Sequence, residues 1–86
     1  MKNPTATELL RVIDLAEAGE WDAAHGIAQQ HEGDPAADWI HAVLHKVEGD
    51  APNSRYWYAR AGRPECFARK PADEWREIRR LLAGDA

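Results

Sequence analysis

Glycines at positions 19, 33, 49, 62 and 84 cut this 86-residue chain into short segments, and the apolar spacing between them decides what each can become. Leu9, Val12, Ile13 and Ala16 stand three and four apart, one stripe of a 3.6-residue helix. Trp39, Ile40, Val43, Leu44 and Val47 repeat the pattern, as do Trp75, Ile78, Leu81 and Leu82. No segment alternates with period two, so no sheet is expected. The glycines suit helix ends, because the left-handed conformation that closes a helix strains any residue with a side chain.

Helix starts are written as clearly as the stops. Thr5 followed by Glu8 forms a capping box, in which hydroxyl and carboxylate satisfy first-turn amides. Asp34-Pro35 and Asp50-Ala51-Pro52 each place an N-cap acid before a proline that loses no hydrogen bond in the first turn. The chain is therefore expected to be all-α, one domain over residues 1–86, a compact right-handed array or bundle of about five short helices. They are expected near 6–18, 20–32, 35–48, 51–61 and 71–83. Residues 63–70, with weak periodicity between two prolines, read as a connector holding at most one short turn.

Trp21, Trp39, Trp57 and Trp75 are spaced 18 apart, one per helix after the first, so two helix-plus-turn units span about 36 residues. Gly19-Glu20-Trp21-Asp22-Ala23-Ala24, and Gly49-Asp50 with Ser54, Tyr58 and Ala61, resemble the turn and packing positions of tetratricopeptide or Sel1-like helical hairpins. The chain also resembles a family of small bacterial helical proteins. There a Trp-Asp-x-Ala-His segment, a Trp-x-His-x-x-x-His segment and a Tyr-Trp-Tyr-x-Arg-Ala-Gly-Arg-Pro segment follow one another. Here those segments begin at Trp21, Trp39 and Tyr56. The resemblance implies a compact helical protein and brings no activity with it. The two turns lie 30 apart rather than about 34, and open arrays need three or more repeats, so a closed bundle is the expected form.

The net charge of −4 divides unevenly, −7 over residues 1–52 and +3 over residues 53–86. The simplest account pairs acidic early helices with basic late ones, and the overall negative charge makes nucleic acid an unfavourable partner. On the last helix, Asp73, Glu74 and Glu77 with Arg76, Arg79 and Arg80 read as a solvated face crossed by ion pairs. No apolar run approaches a membrane span, no leader pattern precedes helix 1, and the lone Cys66 has no partner within the chain. A cytoplasmic location is expected.

Two groups of residues stand out as candidate binding sites. Tyr56, Trp57 and Tyr58 are consecutive on a helix and project about 100° apart, so they cannot all face one core. Arg55, Arg60 and Arg63 frame them, and aromatic and arginine side chains dominate many interfaces. The leading expectation is an interaction module that binds a protein partner, or itself as a homodimer, through this face. The alternative is a small-molecule or metal-binding protein, or an enzyme, in which His25, His41 and His45 line one pocket. His41 and His45 are one helical turn apart, but Ala42 stands where a zinc protease of the His-Glu-x-x-His type has its glutamate. From spacing alone no metal ligand, catalytic residue or cofactor is assigned. Phosphate loops, nucleophile elbows and Cys-x-x-Cys pairs are all missing from the sequence, and Cys66 reads as structural.

Overall fold

A computed structural model describes residues 4–84. Five α-helices form: α1 (Ala6–Glu17), α2 (Trp21–Gln29), α3 (Pro35–Glu48), α4 (Ala51–Arg60) and α5 (Pro71–Leu82). A 3₁₀ turn, Pro64–Ala68, links α4 to α5, and no strand occurs among the described residues. The all-α expectation holds. The largest boundary difference is in α2, which stops at Gln29 instead of about 32; Gln30 to Gly33 turn instead, and Gly33 has a φ of 100°.

Local chemistry builds the starts as the sequence implies. Thr5 Oγ1 accepts from the Glu8 amide at 3.0 Å, while Glu8 Oε1 accepts from the Thr5 amide at 3.1 Å. Asp34 caps α3 through the Ala37 amide at 3.0 Å, and Asp50 caps α4 through the Asn53 amide at 3.3 Å. Gly49 matters most among the stops. Its φ of 88° lets the Asp50 amide reach back to the His45 carbonyl at 2.9 Å, and α4 folds directly against α3.

Helix α3 is the axis of the molecule. Every residue from Ala37 to His45 is buried, because α1, α2, α4 and α5 all pack around it. A single apolar stripe was expected; instead the circumference is covered from Ala37 to His45, while Val47, assigned to that stripe, is 55 % exposed in the last turn of the helix. Contact between α1 and α5 closes the bundle. Arg79 crosses from α5 to Asp14 of α1 at 2.8 Å and also reaches Glu17, so a basic late helix does meet an acidic early one.

One acid departs from the solvated-face reading of α5. Glu74 is 0 % exposed. Trp39 Nε1 donates to its Oε1 at 3.1 Å, Tyr58 Oη donates to the same oxygen at 2.5 Å, and Lys46 Nζ donates to Oε2 at 2.6 Å. The Lys46 ammonium also lies 3.2, 3.2 and 2.6 Å from the carbonyls of Cys66, Phe67 and Arg69, its three N–H groups shared among these and Glu74, which fastens the 3₁₀ turn to α3. Burial and the neighbouring carboxylate push the Tyr58 phenol well above its ordinary range, so it stays a donor. Removing one member of a buried pair strands the other. Glu74→Ala should therefore lower unfolding stability by about 3 kcal/mol in urea titrations. Glu74→Leu combined with Lys46→Met should recover little of that loss, because Trp39, Tyr58 and the carbonyls served by Lys46 then lack partners.

Candidate metal centre between α2 and α3

The side chains of His25, His41 and His45 meet where α2 lies along α3. Their candidate donor atoms all fall within 4.8 Å of one another. His25 Nε2 and His41 Nε2 are 3.1 Å apart. The His41 and His45 rings, one turn apart on α3, lie nearly parallel with centroids 4.9 Å apart, and His25 meets both edge-on at 4.8 and 5.2 Å. Sequence spacing alone supplied only the His41–His45 neighbourhood. The antiparallel α2–α3 hairpin supplies the third imidazole.

Two tryptophans hold the rings in place. Trp21 stacks on His25 at 4.6 Å and 11°, and its Nε1 donates to the Leu44 carbonyl at 2.7 Å, tying the start of α2 to the middle of α3. Trp57 of α4 stacks on His41 at 3.9 Å and 17°. Both partnerships were missed in the sequence, although Trp21 and His25 stand at the i, i+4 spacing of facing helical residues. Trp57 and His41 are brought together by the α3–α4 hairpin alone. His45 Nδ1 is held by Glu48 Oε2 at 2.6 Å, an i, i+3 pair that was also legible and not taken up. A histidine fixed by a carboxylate on one nitrogen offers the other to a ligand.

His41 has no such partner. Its residue is only 2 % exposed, and its Nδ1 makes no hydrogen bond. Burial first, then the neighbouring His25 and His45, hold its imidazole down to about 4. Burial and His45 also lower His25, partly offset by Glu48, Asp22 and Glu32. A neutral imidazole carries one ring lone pair, the state a metal ion requires; between His25 and His41 one ring's lone pair accepts a hydrogen bond from the other ring.

The other candidate face separates. Tyr58 points inward to Glu74 and is buried, so it lies outside any surface patch. Trp57 is largely buried against His41, and Tyr56 alone of the three is exposed, at 53 %. The arginines disperse over separate rings. Arg55 lies over Phe67 at 4.1 Å, Arg60 over Trp57 at 5.1 Å with a hydrogen bond to the Tyr56 hydroxyl, and Arg63 over Trp39 at 3.9 Å. Such guanidinium contacts shield the core aromatics from solvent. His31 lies apart from the triad, 3.6 Å from Glu8, and Cys66 is buried in the 3₁₀ turn.

Comparisons with protein-family models, curated proteins and solved structures find no match to this chain. The geometry of the site therefore carries the functional argument.

The depressed His41 value sets the direction of a pH effect. An imidazole held near 4 in the fold and near 6.5 when unfolded binds its proton first in the unfolded chain. In metal-free protein this contribution is undisturbed above about pH 6.5 and declines as the pH falls toward 4. Urea midpoints measured across that window should fall less steeply for His41→Gln than for the parent chain.

Proposed function

We propose that this chain is a metal-binding protein in which His25, His41 and His45 hold one first-row transition-metal ion. The convergence of three imidazoles from two helices, two of them (His25 and His41) disfavoured as cations by burial, carries the reading. Imidazole suits zinc, copper and nickel, and a tetrahedral zinc ion with bonds of about 2.0–2.1 Å separates its nitrogen donors by roughly 3.4 Å. The 3.1 Å approach of His25 Nε2 to His41 Nε2 is close to that spacing, and with all three donors within 4.8 Å of one another side-chain adjustment brings them to one ion. Glu48 behind His45 is the carboxylate that commonly orients a ligating histidine. For His41 the orienting part falls to the Trp57 ring.

A metal ion suits the site better than an organic ligand. The rings of Trp21, His25, His41, His45 and Trp57 are already in stacking or edge contact, which leaves space on the scale of an ion. An interface at the aromatic and arginine face has less support, because Tyr58 and Trp57 are committed inward. No helix among the described residues is long and apolar enough to cross a membrane. A reducing cytoplasm suits the free thiol of Cys66 and completes the proposal.

Binding should staple α2 to α3 and raise thermal stability, by about 2.7 kcal/mol when free metal is a hundredfold above Kd. Isothermal titration with zinc should give one site per chain, lost in His41→Ala and retained in His31→Ala. Copper(II) should quench tryptophan fluorescence through Trp21 and Trp57, which stack on two of the ligands. Equal zinc binding by the parent and His41→Ala, or none by the parent, would defeat the reading.

A further inference from the structure

We propose that the triad of His25, His41 and His45 is a copper(I) site, a trigonal centre with three imidazole ligands and no fourth. The inference rests on the metal-binding reading and deepens it by naming the ion and its oxidation state.

The donor set is limited to three. Among the described residues, Glu48 and Asp50 gather with His45 in a second group, and neither joins a group that contains His25 or His41. Glu48 faces His45 Nδ1 at 2.6 Å, which leaves Nε2 as the nitrogen free to join the other two rings. Asp50 accepts from the Asn53 amide at 3.3 Å and from Asn53 Nδ2 at 2.7 Å, in the first turn of α4. Both acids therefore sit to the side of the triad.

The surroundings leave little room for an added ligand. Trp21 stacks on His25 and meets His45 edge-on at 5.9 Å, and Trp57 stacks on His41, so each imidazole has a tryptophan ring against it. Water or any other fourth ligand has to part rings that already touch. Zinc in proteins is almost always four-coordinate, and copper(II) and nickel(II) favour tetragonal surroundings. Copper(I) has a filled d shell that imposes no geometry, and three nitrogen donors in a plane satisfy it.

Charge points the same way. Imidazoles ligate as neutral donors, so the charge of the ion has to be met from outside the rings. Among the described residues, Glu48 is the carboxylate hydrogen-bonded to a triad ring. One carboxylate balances a monovalent ion but leaves a divalent ion with a net positive charge beside the buried His41 and His45. The cost of burying charge rises with its square, and this residual charge penalises the divalent ions.

Anaerobic titration of the full chain with copper(I), against bicinchoninate as a competing chelator, tests the assignment. The parent chain should take one copper(I), and a large excess of zinc should not displace it. His41→Ala and His25→Ala, the latter at a half-buried ring, should each weaken capture by an order of magnitude or more, whereas His31→Ala and Cys66→Ser should bind as the parent does. X-ray absorption at the copper edge should show three nitrogen ligands and the pre-edge feature of trigonal copper(I). Binding of neither copper(I) nor zinc removes the metal reading and this inference with it. Zinc that binds in a His41-dependent way and displaces copper(I) overturns the copper(I) assignment alone, as does a fourth ligand in the absorption spectrum. Loss of copper(I) in Cys66→Ser, or its retention in both His25→Ala and His41→Ala, places the ion elsewhere and overturns the inference.

Discussion

The fold depends on a carboxylate that has no access to water. Burying an ionised acid costs several kcal/mol unless its oxygens are fully engaged, and Glu74 is engaged from three directions. Trp39 and Lys46 approach from α3, Tyr58 from α4, and Glu74 itself arrives on α5. Lys46 extends the network to three carbonyls of the chain between α4 and α5. A cluster of this kind defines geometry more than it adds stability: apolar packing tolerates sliding, whereas four directional hydrogen-bonding groups meet in one arrangement. It therefore registers the second half of the chain against α3.

Helices α2 and α4 are also registered by different means, on the opposite side of the same helix. Trp21 is pinned to the Leu44 carbonyl, Trp57 to the His41 ring, and Ser54 donates to the Ala42 carbonyl at 2.8 Å. A helix buried all round would ordinarily be apolar all round, yet α3 buries Asp38, His41 and His45. Asp38 is accounted for by the Gly33 amide at 3.1 and 3.2 Å, although burial still lifts its carboxyl above the usual range. His45 is accounted for by Glu48. His41 keeps its Nδ1 unpartnered, an exception to the rule that buried polar groups are satisfied, while its Nε2 is the nitrogen that meets His25 in the triad.

Much of the architecture was legible in the chain. Thr5 and Glu8, Asp34 with Pro35, and Gly49 with Asp50 are short-range signals whose chemistry is complete within four or five residues, so they survive without knowledge of the fold. The α2 end was less clear because Gln29 to His31 have no strong stop of their own before Gly33. Glu74 was misread as solvent-facing for a definite reason. An acid among alternating charges on an amphipathic helix looks identical whether or not a lysine, a tyrosine and a tryptophan from two other helices surround it. Tyr58 was misplaced for the complementary reason, since its partner lies 16 residues away on another helix.

By itself the sequence determined where helices begin and, except for α2, where they end, that the chain is all-α, and that two histidines share a face of α3. These properties follow from backbone geometry and from contacts three to five residues apart. Only the tertiary structure decided which charges are buried, which aromatics reach solvent, and that His25 completes a triad with His41 and His45. Each of those outcomes depends on helices separated by a turn or more in the chain. Helix pairing, and not residue spacing, sets the distances on which the proposed chemistry relies.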